Sequence, residues 1–134
     1  MIVDASAIVA IIRQEPGYQT LIEALGRADG KATHAVSIYE AVLAVARTRG
    51  LPIAAALSIV ERFLDALGVD VVPLTRATAA EGVAAFSRYG RGRGSKAALN
   101  MGDCFSYAVA KASSRAILFV GDDFADTDLA SIDR

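Results

Sequence analysis

The sequence predicts a single α/β domain, residues 1–134, in which a central parallel sheet is flanked by helices. Short apolar runs without polar alternation, the pattern of strands buried on both faces, are separated by longer segments with apolar residues at helical spacing. In order, the segments give βααβααβαβ, an arrangement that produces a parallel sheet covered by helices. The length of 134 residues is near the commonest size of one domain, so a second domain is not expected.

The first half of the chain contains two of the predicted strands. Met1-Ile2-Val3 forms a short buried strand that ends at Asp4, and the apolar residues after Ser6 predict a helix that Pro16-Gly17 stops. The other elements of this half are a helix from Tyr18 to Arg27, a strand from Thr33 to Val36, a helix from Ser37 to Arg49 that Gly50 ends, and a helix that Pro52 opens and that extends to Leu67.

The second half of the chain completes the sheet. Val69 to Pro73 has the pattern of a strand, and Thr75 is placed as the N-cap of a helix that reaches about Tyr89. A loop rich in Gly and Arg precedes a helix from Asp103 to Ala112, and Ile117 to Val120 forms a buried strand.

Composition restricts the kind of site that the chain can build. With one cysteine and one histidine, it has neither an internal disulfide nor the usual soft ligands of a zinc site, so oxygen atoms must hold any metal. The net charge of −1 argues against a protein that coats nucleic acid by bulk electrostatics. No apolar run is long enough to span a membrane and the start lacks a signal peptide, which predicts a cytoplasmic location.

Four separated acids are placed to meet at one edge of the predicted sheet. Asp4 and Asp122 follow strands, and Glu40 and Asp103 lie at the start of helices that leave the same edge, where parallel sheets bind ligands. Clustered carboxylates repel one another unless a cation is present, and oxygen ligands suit Mg²⁺ or Mn²⁺. The sequence therefore predicts a metal-binding carboxylate pocket in which a water molecule becomes the nucleophile.

Three of these acids also have a purely structural interpretation. Ser37 to Glu40 matches a capping box, Asp103 fits a helix N-cap, and Gly121-Asp122-Asp123 fits an ordinary turn. Asp4 has no such alternative, because an acid between a buried strand and an apolar helix needs a partner or a pocket.

Four segments that contain these acids resemble the acidic motifs of VapC-type PIN-domain toxins. They occur in the family's order, and the resemblance extends from the first residue to about Asp128. The motif around Asp103 is specific to this group, the first is shared with other PIN domains, and the second is weak alone. The segments are Met1 to Ala7, Ser37 to Glu40, Leu99 to Ala108 and Leu118 to Phe124.

The resemblance implies a PIN-like three-layer α/β/α domain with the activity of a Mg²⁺-dependent endoribonuclease, with Mn²⁺ as an alternative ion. It also implies the toxin half of a type II toxin–antitoxin pair, usually a homodimer, that a VapB-type antitoxin holds inactive. Metal-activated water would then cleave phosphodiester bonds of RNA, and Ser6 would support the acidic cluster.

The resemblance also assigns roles to the acids. Asp4 and Asp103 correspond to the principal metal ligands, and Glu40 corresponds to a further ligand or to the base that positions water. Asp122 is taken as the fourth acid, with Asp123 as its substitute because Asp123 also matches an acid before Phe.

A basic loop and several side chains beside the motifs have further interpretations. Tyr39 and Tyr107 either stack on bases or pack in the core, whereas His34 and Cys104 receive no catalytic role. The loop either grips RNA phosphates or is simply solvated. Its basic residues are Arg88, Arg91, Arg93 and Lys96.

Two other classes of protein remain as alternatives. One is an Asp-dependent phosphoryl-transfer domain, although the phosphatase pattern needs a second Asp where Ser6 stands and the receiver pattern needs Lys where Asp122 stands. The other is a catalytically inactive PIN-like module that only binds protein or RNA, and the retained acids argue against it.

Overall fold

Strands and helices follow one another along the chain in the order βααβααβααβ. A computed structural model describes residues 1–131, and residues 132–134, which close the predicted domain, lie outside the described residues. Two helices separate the third and fourth strands, as predicted from the segments themselves, whereas the predicted order βααβααβαβ omits one of them. The elements are β1 (Ile2–Val3), α1 (Ala5–Ile12), α2 (Tyr18–Arg27), β2 (Lys31–His34), α3 (Ala35–Arg49), α4 (Ile53–Leu67), β3 (Val69–Val72), α5 (Arg76–Tyr89), α6 (Met101–Ser113), β4 (Ile117–Leu118) and a 3-10 helix (Asp128–Ser131).

The four strands form one parallel sheet in the order β3-β2-β1-β4. Strand β1 lies between β2 and β4, with Ile2 opposite both Ala32 and Ile117. Because every strand has the same direction, the residues that follow β1, β2 and β4 emerge at the same edge of the sheet. Asp4, after β1, and the pair Asp122-Asp123, after β4, follow the strands at that edge.

Helices cover both faces of the sheet. Val3 packs into a core with α1, α2, α3 and α4, whereas its neighbour Ile2 packs into a second core with α5 and α6. Successive side chains of a strand point to opposite faces, and burying each of these two stabilises the fold by about 1.5–3 kcal/mol before conformational entropy is subtracted. The predicted three-layer α/β/α arrangement with a central parallel sheet is confirmed.

Two predicted boundaries near the acids are wrong. Strand β2 ends at His34 instead of Val36, and α3 begins at Ala35 because the His34 imidazole accepts a hydrogen bond from the backbone N–H of Ser37 and caps the helix. Ser37 therefore lies inside the first turn and does not form a capping box with Glu40. The run Ala35-Val36 is apolar, so its sequence pattern fits a strand end and a helix start equally well.

Helix α6 also begins earlier than predicted. Asn100 is its N-cap, and Asp103 is the third helical residue, where it completes a capping box with Asn100. The predictions that Gly50 ends α3 and that Thr75 caps α5 are confirmed. Among residues 1–131, no helix combines the length and the apolarity that crossing a bilayer requires.

Candidate active site

Asp4 lies at the centre of the acidic edge of the sheet. It directly follows β1, caps α1 and is only 4% exposed. Its Oδ2 accepts hydrogen bonds from the backbone N–H of Ser6 (3.0 Å) and from the Ser6 hydroxyl (2.7 Å), and its Oδ1 accepts one from the Ser106 hydroxyl (2.6 Å). Three neutral donors, from α1 and α6, thus hold a buried carboxylate in one orientation.

Ser6 connects Asp4 to the segment after β4. Its hydroxyl donates to Asp4 and accepts a hydrogen bond from the backbone N–H of Val120 (3.0 Å). The expected support of the acidic cluster by Ser6 therefore has a defined geometry. It also places a hydroxyl where the phosphatase alternative needs a second carboxylate.

Glu40 reaches from α3 to the first turn of α6. The half-buried Glu40 carboxylate lies against the Cα of Gly102, so closely that a Cβ added to Gly102 would overlap with it. Burial, and then the charge of Asp4, raise the pKa of Glu40. The absence of a side chain at Gly102 is therefore what lets Glu40 lie next to Asp103.

Asp103 is the acid on which the other negative charges act. Its Oδ2 accepts a hydrogen bond from the backbone N–H of Asn100 (2.9 Å), which favours the charged form, yet the pKa of Asp103 is raised to about 7. Burial is the largest cause, and the charges of Asp4, Asp123 and Glu40 add to it. The charges of acids from three other segments of the chain thus act on Asp103.

Asp122 and Asp123, the two candidates for the fourth acid, have different surroundings. The charge of Asp123 contributes to the raised pKa of Asp103. Asp122 instead lines another cavity, of about 320 Å³, together with α2 and the end of β4, and none of the other three acids lines that cavity. Gly121 turns the chain at φ 104° just before the pair, so the two adjacent acids face different surroundings. The position of Asp123 beside the buried Phe124 is the sequence feature that favours it.

A buried polar network behind Asp4 was not predicted. His34, Ser37 and Ser106 are at most 1% exposed. The Nε2 of His34 lies 2.9 Å from the Ser106 hydroxyl and 3.1 Å from the Ser37 hydroxyl. Burial lowers the pKa of His34 to about 4, although the charge of Asp4 opposes this. One sequence signal pointed to Ser106: it follows Asp103 by three positions on a helix and so shares its face.

The residues of the pocket fit a hard divalent cation. Asp4 and Asp103 are oxygen ligands of the type that Mg²⁺ and Mn²⁺ prefer, and no lysine or arginine contributes to the shifted pKa of Asp103. Among residues 1–131, no group of three or more His, Cys, Asp or Glu side chains is placed to hold a metal ion. Mg²⁺ does not need one, since it usually keeps several waters and binds one or two carboxylates directly.

A groove leads away from the pocket between α1 and α3. It has a volume of about 340 Å³ and is lined by Ser6 and Glu40 at one end and by Arg13 and Arg47 further along the two helices. Arg13 forms an ion pair with Glu15 (2.7 Å), whereas no hydrogen bond or ion pair within residues 1–131 involves the guanidinium of Arg47. The groove therefore combines an acidic end with an available cation.

The other residues beside the motifs have mostly structural surroundings. Tyr107 is fully buried and Cys104 nearly so, and burial raises the pKa of the Cys104 thiol to about 11, so both pack in the core. Arg88 donates to the Tyr107 hydroxyl (3.2 Å) and lies over the Tyr89 ring. Tyr39, 64% exposed, remains free to contact a ligand.

The sequence matches a known family over almost its whole length. The PIN domain family matches residues 1–129. A VapC ribonuclease of Rhizobium meliloti (strain 1021) is 39% identical, with 95% of this chain and 97% of that protein covered. Ribonuclease VapC42 of Mycobacterium tuberculosis (strain H37Rv) is 42% identical over 96% of both chains, and ribonuclease VapC30 (strain CDC 1551) is 35% identical over 98% of both.

Proposed function

This chain belongs to the PIN-domain family, and from that membership and its acid pocket we propose that it is the toxin of a type II toxin–antitoxin pair, an endoribonuclease of the VapC type. The observation that carries the proposal is the approach of Asp4 and Glu40 to the start of α6: Asp4 accepts a hydrogen bond from Ser106, and the Glu40 carboxylate lies against Gly102, next to Asp103. The charges of Asp4, Glu40 and Asp123 add to the raised pKa of Asp103. Four acids gathered from distant segments destabilise the fold, and a metal-dependent nuclease is a function that requires them.

The proposed role of each acid in hydrolysis follows from its surroundings. Asp4 and Asp103, both buried, are the proposed ligands of a divalent ion, with Mg²⁺ first and Mn²⁺ as its alternative. Such an ion supplies Lewis acidity toward a phosphate and lowers the pKa of water. Glu40, whose pKa burial and the charge of Asp4 raise, orients the attacking water and accepts its proton.

The fourth acid of the proposed site is Asp123 in preference to Asp122. The charge of Asp123 reaches Asp103, while Asp122 lines a cavity that the other acids do not share. The proposed catalytic set is then Asp4, Glu40, Asp103 and Asp123, with Asp122, which the motif suggested, as the alternative fourth acid.

RNA is proposed to enter along the groove between α1 and α3. Arg47 lies two turns beyond Glu40 on the same side of α3, which suits a contact with a phosphate next to the scissile one. Replacing Arg47 with Gln should raise KM for RNA and reduce the salt dependence of binding, with kcat little changed. The matched control is Arg93→Gln in the exposed basic loop, and a larger effect of that variant would place the RNA on the loop instead.

The family also indicates the partners. RNA is the substrate class of the VapC ribonucleases that the chain resembles, and a VapB-type antitoxin is the proposed inhibitor of this chain. A homodimer, a single PIN domain over residues 1–134 and a cytoplasmic location, where the toxin meets both RNA and antitoxin, complete the proposal.

Sequencing of RNA ends after brief expression tests the function and finds the substrate in one experiment. Wild type should generate new ends that Asp4→Ala does not. Asp65→Asn, which removes an exposed acid of α4, is the matched control and should cleave as wild type does. Identical RNA ends for wild type and Asp4→Ala would contradict the proposed ribonuclease activity.

A further inference from the structure

Three fully buried polar side chains behind Asp4 require an explanation. His34, Ser37 and Ser106 come from the end of β2, the start of α3 and the middle of α6. Burying a polar group without a partner is costly, and each of these groups has a partner in the network that ends at Asp4.

The hydrogen bonds of this network run in one direction. The backbone N–H of Ser37 donates to Nδ1 of His34 (3.2 Å), so Nδ1 carries no proton and the neutral imidazole carries its proton on Nε2. That proton is donated toward the Ser106 oxygen (2.9 Å). The Ser106 hydroxyl is then free to donate only its own proton, which it gives to Oδ1 of Asp4 (2.6 Å).

These bonds determine what remains available on Asp4. A carboxylate has about four lone-pair sites. Ser6 occupies two of them through its two bonds to Oδ2, and Ser106 occupies one on Oδ1. One site therefore remains, and it is on Oδ1.

We propose that His34 is a positioning residue: by committing the Ser106 hydroxyl to Asp4, it leaves a single site on Oδ1 and makes Asp4 a one-oxygen ligand of the divalent ion. This inference rests on the proposed function, because it describes how one acid of that site is held. It concerns His34, which lies outside the four motif segments, and Ser106, to which the resemblance assigns no role.

Helix capping alone does not account for a histidine at this position. The cap of α3 uses only Nδ1, and Asn, Asp or Ser supplies such an acceptor more commonly. Only a longer side chain with a second polar atom reaches from the N-cap of α3 to Ser106 on α6. The imidazole performs both tasks, which explains why β2 ends in a buried histidine.

The first test measures Mn²⁺ binding to the RNA-free protein by titration. Ser106→Ala, which leaves the α3 cap intact, should weaken Mn²⁺ binding about 10- to 100-fold, as loss of outer-sphere partners of metal ligands typically does. His34→Asn keeps an acceptor for the α3 cap, but its side chain is too short to contact Ser106. It should also weaken Mn²⁺ binding. The double variant should be no weaker than Ser106→Ala, because His34 acts through Ser106.

The control is Ser113→Ala, at the other end of α6, where the hydroxyl bonds only to backbone carbonyls of its own helix. It should bind Mn²⁺ as wild type does. With RNA as substrate, the two network variants should lower kcat and leave KM unchanged. A lower melting temperature with unchanged Mn²⁺ affinity would show that the network only supports the fold, and would overturn the inference.

A second readout does not depend on the metal. His34 is the only histidine of the chain, so ¹⁵N-histidine labelling gives the ring resonances of this residue alone. At pH 7 they should show the tautomer with the proton on Nε2, and Ser106→Ala should shift the Nε2 resonance. A proton on Nδ1 would overturn the direction of the network.

The tests distinguish failure of this inference from failure of the proposed function. If wild type cleaves RNA and binds Mn²⁺ while the variants match it, this inference alone fails. If wild type does neither, the proposed function fails with it.

Discussion

Opposite electrostatic surroundings distinguish two acids: Asp103 in the first turn of α6, and Asp128, which bonds to side chains in the second half of that helix. Asp128 accepts hydrogen bonds from Lys111 (2.5 Å) and from the Tyr107 hydroxyl (2.7 Å), and these bonds lower its pKa although burial opposes them. Asp103, in the first turn, is buried among other acids, and its pKa is raised to about 7. A cation within the fold balances the first acid, so its role there is structural. The second acid is left unbalanced, which is typical of functional sites.

The largest expected effect separates the two acids by activity. Asp103→Asn should lower the rate of RNA cleavage by at least about 10²-fold, because it removes the negative charge of a proposed ligand of the divalent ion. Asp128→Asn should cleave at nearly the wild-type rate, since Asp128 bonds to Lys111 and to the Tyr107 hydroxyl. Single-turnover cleavage of a short RNA by each purified variant measures the difference. Equal losses in both variants would mean that the contrast between the two ends of α6 has no functional meaning.

Metal-dependent stability provides the next contrast. Mn²⁺ or Mg²⁺ at 100 times its Kd should stabilise the wild-type protein by about 2.7 kcal/mol, seen as a higher melting temperature. Asp128→Asn should keep this gain, whereas the double variant Asp4→Asn, Asp103→Asn should lose it. Melting curves that respond to metal equally in all three proteins would argue against an acidic metal site.

The pH dependence of stability should have opposite signs for the two acids. Without metal, folded Asp103 has a pKa of about 7, above its value near 3.9 in the unfolded chain. Between these values the folded protein holds the extra proton, so this group's contribution to the free energy of unfolding falls as pH rises, by up to about 1.4 kcal/mol per pH unit. Asp103→Asn should therefore stabilise the metal-free protein at pH 7 and do so less at pH 5.

Asp128→Asn should show the reverse. Its folded pKa is lowered, so its stabilising contribution is present above the unfolded pKa and is lost as pH falls through the folded pKa. Both variants keep His34, whose lowered pKa adds stability as pH rises from about 4 to 6.5, so this contribution cancels in differences from wild type. Urea unfolding from pH 3 to pH 8 gives the two difference curves: the curve of Asp103→Asn changes between about pH 4 and pH 7, and that of Asp128→Asn changes below about pH 4. Curves of the same sign would contradict the assigned surroundings.

The smallest effect compares two helical glycines. Gly102→Ala should displace the Glu40 carboxylate and lower RNA cleavage about tenfold, equal to about 1.4 kcal/mol. A Cβ at Gly82 of α5 would meet the Cys104 carbonyl oxygen at 3.7 Å, an ordinary contact. Gly82→Ala should therefore leave cleavage unchanged and raise stability by about 0.5–1 kcal/mol. Cleavage rates and urea midpoints of both variants check this, and an active Gly102→Ala would show that Glu40 need not lie where it does.

Local pattern was sufficient to predict the layers of this protein and the edge where its acids gather. Apolar runs predicted the strands and helical spacing the helices, because burial imposes periods of two and of 3.6 residues on the sequence. The expected meeting of Asp4, Glu40 and Asp103 followed from one rule, that parallel strands deliver their carboxyl ends to the same edge. The catalytic roles of these acids stay predictions until the variants are measured.

Only the tertiary structure decided which neighbours each polar group has. The Ser106 hydroxyl meets Asp4 across 102 positions of sequence, and His34 meets Ser106 across 72, distances over which local pattern carries no information. Only the structure shows that Asp122 lines a cavity beside α2 while the charge of Asp123 acts on Asp103. Periodicity shows which face of an element is buried, but the partner of a buried polar group is set by how helices pack on the sheet, and that is a property of the whole fold.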